Sequence, residues 1–302
     1  MPSSASEQNH AVSQKDFSRR EFLKVGGAAA VIGVAGVLAG DQINGTPQAR
    51  AANSGKVKYG MVIDLDRCLG CRACMVACKV ENNTPAGAFW MYVFRTEEGH
   101  YPNVRIQYTP RPCMHCDNAP CAKVCPVGAR YKREDGLVAT DADRCIGCRY
   151  CQVACPYSVN YFNWEDPKKN QYYDWVKEAP EIQQATGGVI PPYQNPDHEL
   201  LYGAEKRRIS GGSHHHGVMG KCTFCVHRIE KGLLPACVAN CPAGVYSFGD
   251  LNDPDSEVSR RLNSEQSFTL AEDLGTKPRV HYLGTSPLKD DTRQIDAIVR
   301  RV

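Results

Sequence analysis

The sequence predicts an α+β fold: a duplicated cysteine-rich unit with extra strands, a long insertion and a C-terminal extension. Three observations predict it. Apolar residues alternate with others over several short stretches, which is strand periodicity. Sixteen cysteines stand in four runs, and the order of the runs repeats once. One long cysteine-free stretch, Tyr157 to Gly220, is rich in Pro, Gly, Asn and Tyr and has no clear helical period.

The repeat is explicit. Asp66-Arg67-Cys68-Leu69-Gly70-Cys71-Arg72 matches Asp143-Arg144-Cys145-Ile146-Gly147-Cys148-Arg149, and Val76-Ala77-Cys78 matches Val153-Ala154-Cys155. Pro120-Cys121 through Cys125-Pro126, followed by Gly128, resembles Ala236-Cys237 through Cys241-Pro242, followed by Gly244. The order is A, B, A′, B′.

In chain order, residues 1–51 read as a signal peptide. Ser18-Arg19-Arg20-Glu21-Phe22-Leu23-Lys24 is a twin-arginine signal, Val25 to Ala39 is apolar, and Ala49-Arg50-Ala51 is a small-x-small cleavage site before Ala52. The alternative is a retained anchor, but Val25 to Ala39 is short for a bilayer span and its glycines weaken a helix. Cleavage and a periplasmic location are expected. No other run of about 18 apolar residues exists, so the mature chain is expected to be soluble or peripheral to the membrane.

Residues 52–156 hold the first three runs. Lys56 to Asp66 alternates at Val57, Tyr59, Met61, Ile63 and Leu65 and predicts a strand. The first run follows: Cys68, Cys71, Cys74 and Cys78. Phe89 to Arg95 and Val104 to Tyr108 predict two strands joined in the region Glu97-Glu98-Gly99. The second run is Cys113, Cys116, Cys121 and Cys125. A short strand, Gly136 to Thr140, leads into the third: Cys145, Cys148, Cys151 and Cys155. Residues 157–220 are the insertion, and residues 221–250 carry the fourth run, Cys222, Cys225, Cys237 and Cys241. Residues 251–302 are the extension, with a strand expected at Arg279 to Leu283 and a helix near the end, where Ile295, Ile298, Val299 and Val302 share a face.

The third run reads C-x2-C-x2-C-x3-C-P, the bacterial-ferredoxin spacing for an iron–sulfur cluster, whose fourth cysteine ligates a neighbouring cluster. The fold expected is therefore two bacterial-ferredoxin-like units. Two intervening residues let successive thiolates reach neighbouring corners of a cubane. Gly70 and Gly147 are expected to relieve crowding against inorganic sulfide, and loop amides to donate to sulfur. Proline after Cys125, Cys155 and Cys241 fixes the exit of the chain. Lys79 replaces it after Cys78, and an exposed lysine is expected there. Disulfides suit an exported protein and C-x2-C pairs suit zinc. Neither needs the third cysteine three residues on nor the proline. Each [4Fe–4S] core with four thiolates carries about −2, so the formal charge of +3 implies nothing about nucleic acid, and no nucleic-acid partner is expected.

The four runs, from Cys68 to Cys241, resemble the four-cluster iron–sulfur subunit of the complex iron–sulfur molybdoenzymes, such as polysulfide, tetrathionate and dimethyl sulfoxide reductases. Cys113-x2-Cys116-x4-Cys121-x3-Cys125-Pro126 and Lys221-Cys222-Thr223-Phe224-Cys225 carry the likeness. The resemblance implies that run one pairs with run four and run two with run three. One cluster would take Cys68, Cys71, Cys74 and Cys241, and its neighbour Cys222, Cys225, Cys237 and Cys78. A third would take Cys113, Cys116, Cys121 and Cys155, and the fourth Cys145, Cys148, Cys151 and Cys125. It further implies four [4Fe–4S] clusters and no catalytic site. The partners implied are a catalytic oxidoreductase subunit, expected to carry molybdopterin, and a polytopic quinone-reactive membrane subunit or a cytochrome. The chain's own signal is a departure, seen in exported subunits of tetrathionate reduction and of quinol-linked nitrite or sulfite-associated complexes. The alternatives are a free-standing periplasmic polyferredoxin electron carrier, or the iron–sulfur subunit of a sulfite-reduction-associated or nitrite-reduction quinol-linked membrane complex without molybdopterin.

His214-His215-His216 is expected to be a solvated loop cluster. His115 and His227 beside cysteines suit either hydrogen bonding to a cluster or packing. Trp164, Trp175, Tyr172 and Tyr173 are expected in the core or an interface. The insertion is read equally as a docking surface or a tolerated surface loop.

Overall fold

The computed structural model describes residues 56–169, 172, 201–211, 213–284 and 293–294. The signal-like segment, part of the insertion with Tyr173 and Trp175, and the residues of the expected terminal helix lie outside the described residues. The order is β1 (Tyr59–Asp64), α1 (Ala73–Asn82), β2 (Tyr92–His100), β3 (Asn103–Arg111), α2 (Pro120–Lys123), β4 (Arg130–Lys132), β5 (Val138–Thr140) and α3 (Tyr150–Val153). Then come β6 (Tyr161–Phe162), β7 (Leu201–Tyr202), β8 (Arg207–Arg208), β9 (Met219–Gly220), α4 (Val226–Ile229) and α5 (Ala236–Ala239). The elements β10 (Tyr246–Asp250), α6 (Glu257–Ser264), β11 (Ser267–Phe268), β12 (Val280–Leu283) and β13 (Arg293–Gln294) complete it. Helix and strand content is mixed, as an α+β chain requires.

The alternating stretch forms β1 and is buried on both faces. It pairs antiparallel with β10 and parallel with β12, and β11 completes a sheet of order β10-β1-β12-β11. Met61 and Ile63 point into the core that holds the cysteines. Val62 points the other way, against Val258 of α6 and Leu283 of β12. The Ser256 hydroxyl caps α6 by accepting from the Ser259 amide at 3.1 Å, a device worth about 1 kcal/mol. The polar-looking extension thus closes the central sheet.

Helices begin where cysteine loops turn. Arg72 and Arg149, at matching places in the repeat, both take left-handed backbone at φ 63 before α1 and α3. After Cys155, Pro156 stops α3 at a single turn, because it has no amide to continue the ladder. After Cys78, Lys79 has one, so α1 runs ten residues, to Asn82.

The hairpin differs from expectation. Strands β2 and β3 pair continuously from Tyr92↔Arg111 to His100↔Asn103, and the chain reverses at Tyr101-Pro102 rather than at Glu97-Glu98-Gly99. The distal half of β3 is exposed, so it needs no apolar alternation, and Glu97 and Glu98 of β2, paired with Ile106 and Arg105, extend the ribbon instead of breaking it.

The described part of the insertion is tied into the core. Strand β6 pairs with β9 and β7 with β8. The Tyr157 hydroxyl donates to Leu270 O at 3.1 Å, and the Tyr172 hydroxyl to Thr84 O at 2.9 Å.

Candidate metal centres

Two cavities are lined by four cysteines each. One is lined by Cys113, Cys116, Cys121 and Cys155, with Val138, Tyr157 and Lys221 among its walls. The other is lined by Cys125, Cys145, Cys148 and Cys151, with Arg130 and Met219. Runs two and three therefore exchange their fourth cysteines. The exchange follows from α2 packing on α3, which carries Cys155 toward run two and Cys125 toward run three.

Runs one and four are joined likewise by α1 packing on α5. Burial pushes the Cys74 thiol up to about 11 against a hydrogen bond from the Tyr246 hydroxyl, and Cys68, Cys241 and Cys71 push the same way. Burial, then Cys225, Cys78 and Cys222, push Cys237 well above its ordinary value. These thiols fall into two more quartets: Cys68, Cys71, Cys74, Cys241, and Cys78, Cys222, Cys225, Cys237.

The quartets lie in a row. Cys74 is near enough to Cys78 and Cys237 to perturb both thiols. Cys113 likewise perturbs Cys222, and Arg130 spans Cys151, Cys121 and Cys113. Between the two central quartets the rings of His115 and Phe224 lie 4.0 Å apart. Their backbone amides donate outward, to Cys113 Sγ at 3.5 Å and Cys222 Sγ at 3.4 Å. Further amides reach sulfur from Met219 to Cys145 and from Val245 to Cys241, each at 3.5 Å.

The donor set fits iron–sulfur clusters. Four soft thiols surround a space rather than a point, and amides aim at sulfur. Burial pushes Cys116 and Cys222 up to about 12 and Cys121 and Cys225 to about 11. Such thiols stay protonated without metal, so metal binding must displace their protons.

At the two ends of the row the thiols meet solvent. Cys71 and Cys148, equivalent in the repeat, are the exposed cysteines. Each sits beside exposed apolar residues: Leu69 and Val76 at one end, Ile146, Tyr150 and Val153 at the other. Gly70 and Gly147 have φ 67 and 68. A Cβ on Gly70 would strike the Tyr108 ring, and one on Gly147 the Gly217 carbonyl. The crowding that demands glycine therefore comes from the protein itself.

Two expectations of solvent exposure do not hold. Lys79 is half-buried rather than exposed: Nζ donates to Pro85 O at 2.8 Å and Ala88 O at 3.0 Å and lies 4.7 Å from the Phe89 ring centre. With no proline after Cys78, it staples the following loop to α1. His214 is buried, with its ring nitrogens 2.7 Å from Asn83 O and 3.2 Å from Glu165 O. It pins the insertion to the end of α1 rather than floating in a loop, while His216 is exposed. Trp164 is exposed, packed by Phe162 and the Arg149 guanidinium. His227 packs in an ion-paired group, its Nε2 2.7 Å from Glu81 Oε1, while Arg228 donates to Glu81 Oε2 at 3.4 Å. His115 Nδ1 accepts from the Val138 amide at 3.1 Å.

Sequence reasoning missed Asn82, Glu81, Arg130 and Lys221, all of them buried. The position of Arg130, five residues after a ligand-spaced cysteine, is the one signal that marks it.

Comparison with known proteins agrees with this chemistry. Two family models described as 4Fe-4S dicluster domains match, one over residues 104–173 and 205–251 and the other over 67–129. The chain is 42% identical to a putative dimethyl sulfoxide reductase iron-sulfur subunit of Halobacterium salinarum, over 74% of this chain and 78% of that one. It is 39% identical to a selenate reductase subunit of Mesobacillus selenatarsenatis, over 89% and 98%. It is 36% identical to a tetrathionate reductase subunit of Salmonella typhimurium, over 89% of each.

Proposed function

Since the chain belongs to the family of iron–sulfur subunits of dimethyl sulfoxide, selenate and tetrathionate reductases, we propose that its four quartets hold four [4Fe–4S] clusters forming one electron path. The protein is the electron-transfer subunit of a reductase complex, not its catalytic subunit. The ligand sets are Cys68, Cys71, Cys74 and Cys241; Cys78, Cys222, Cys225 and Cys237; Cys113, Cys116, Cys121 and Cys155; and Cys125, Cys145, Cys148 and Cys151. The clusters supply one-electron uptake and release. The chain supplies ligands, dry walls, amide donors and fixed charge, which set where an electron rests.

Two bacterial-ferredoxin-like units make up the layout, one from runs one and four and one from runs two and three. The α1–α5 and α2–α3 packing and the matched loop backbone support it. A catalytic subunit, expected to carry molybdopterin, docks at one end, and a quinone-reactive membrane subunit or cytochrome at the other. The twin-arginine segment Ser18 to Lys24 supports assembly on the periplasmic face.

The observation that carries the reading is the row of four quartets with exposed thiols at its two ends. Anaerobic purification from detergent-solubilised membranes tests it. Co-purification of both partner subunits with about sixteen irons per chain is expected. A partner-free chain, or fewer than about fourteen irons, overturns it.

A further inference from the structure

The two end quartets are built alike but charged differently. In the repeat, Cys125-Pro126-Val127-Gly128-Ala129-Arg130 aligns with Cys241-Pro242-Ala243-Gly244-Val245-Tyr246. Gly128 and Gly244 keep the same backbone, φ 62 and 58. Arg130 and Tyr246 thus occupy equivalent places, and each reaches the third cysteine of its partner run. Arg130 Nη2 donates to Cys151 Sγ at 3.4 Å, while the Tyr246 hydroxyl, close enough to perturb the Cys74 thiol, donates to Met91 Sδ at 4.0 Å. Cys151 and Cys74 are themselves equivalent in the repeat.

Arg130 is 3% exposed, and its Nε and Nη1 have no hydrogen-bond partner. No carboxylate pairs with it among the described residues, in contrast to Arg228, whose charge Glu81 matches. A buried charge of this kind is costly alone. Its charged complements are the anions that thiolates and clusters would place on either side of it, with Cys151, its hydrogen-bond partner, in one quartet and Cys121 and Cys113 in the next.

We infer that Arg130, against Tyr246 at the equivalent place, makes the electron path asymmetric, holding the Cys125, Cys145, Cys148, Cys151 cluster at a higher potential than the Cys68, Cys71, Cys74, Cys241 cluster. The inference rests on the ligand sets proposed above. Reduction takes such a cluster from about −2 to about −3, and a fixed neighbouring cation favours the more negative state. The phenol carries no charge, so it does not raise the potential in this way. An electron therefore rests more readily at the Cys148 end than at the Cys71 end.

Potentiometric EPR on the anaerobic complex tests this. Cys148→Ser and Cys71→Ser assign the two end clusters by the redox step each one alters. Arg130→Tyr is expected to lower the Cys148-end step at least tenfold in its reduction constant, which is 59 mV for one electron. The Cys71-end step should stay within threefold. Arg130→Lys, which keeps the charge, should also stay within threefold of wild type. An unmoved step in Arg130→Tyr with full iron content overturns the inference, as does a wild-type Cys148-end potential below that of the Cys71 end. Where Arg130→Tyr loses iron, Arg130→Lys decides. A retained cluster at near wild-type potential supports the role of charge, and a lost one overturns it in favour of shape. Failure of both serine variants to alter any step overturns the ligand sets and the inference with them.

Discussion

Asn82 Nδ2 lies 3.6 Å from Cys225 Sγ in the fourth run and 3.7 Å from Cys78 Sγ in its own. One buried amide at the end of α1 therefore faces two sulfurs of a single quartet. Asn82→Leu keeps the volume and removes the donor. Hydrogen bonds to charged groups contribute about 1.5–3 kcal/mol each, and donors to sulfur raise the potential. The expected result is a lower potential for the Cys78, Cys222, Cys225, Cys237 cluster and a loss of about 2 kcal/mol in denaturant stability. Redox titration and urea unfolding followed by cluster absorbance measure both.

Cys155→Ser separates the exchanged connectivity from a local one. Cys155 lines the cavity of Cys113, Cys116 and Cys121 although it belongs to the third run. The variant should lose or convert that cluster, with about four irons missing at most, and leave the signal that depends on Cys148 in place. Loss of the Cys148-dependent signal instead would mean that each run serves itself.

Glu81 binds run one to run four through His227 and Arg228. Burial alone raises its carboxyl, but the His227 hydrogen bond and the charges of His227 and Arg228 outweigh that and hold it below its usual value. Glu81→Leu leaves the Arg228 cation buried without its carboxylate, which costs about 3–5 kcal/mol. Thermal unfolding of the cluster-loaded protein should show this as a lower Tm, with Glu81→Gln falling between the variant and wild type.

Under the proposed two-ended path, the exposed residues at the two ends act on different partners. Leu69→Glu with Val76→Glu should release one partner, and Ile146→Glu with Val153→Glu the other. Iron content should not change, because these side chains face solvent. Pull-down of the complex from each double variant reads the outcome. Release of the same partner by both would contradict a two-ended path.

His281 gives a pH dependence with a defined sign. Burial lowers its pKa below 6.5, so the folded chain favours neutral imidazole. Stability is full above the unfolded value and is lost as pH falls from 6.5 through the folded pKa, by at most about 1.4 kcal/mol per pH unit. His281→Gln should flatten urea-unfolding stability between pH 5 and 7. An unchanged slope would show that His281 does not titrate in this window.

The sequence was most legible where covalent spacing dictates geometry. Cys145 to Pro156 announces its cavity because thiols two residues apart have few arrangements around a common centre. Strand β1 is legible because its side chains alternate against a core. The hairpin tip was misread, since solvent on both faces of the ribbon erases alternation and leaves Glu97 and Gly99 looking like a turn. Lys79 and His214 were misread for a related reason. A polar residue is assigned to solvent unless its partners are visible, and theirs are carbonyls of Pro85, Ala88, Asn83 and Glu165, which carry no sequence signature. Arg130 was hidden in the same way, because its partner is sulfur.

The exchange of fourth cysteines nests one pair of cavities within the other along the chain. Under the proposed ligand sets, the pair formed by runs two and three has all its ligands once Cys155 has left the ribosome. The pair formed by runs one and four brackets it and must wait for Cys241, and its sheet for β12 beyond that. The order in which ligands become available therefore runs from the inside out. A chain interrupted before Cys241 lacks a ligand of the outer pair, so under these ligand sets the Cys71 end is the last to gain its full set.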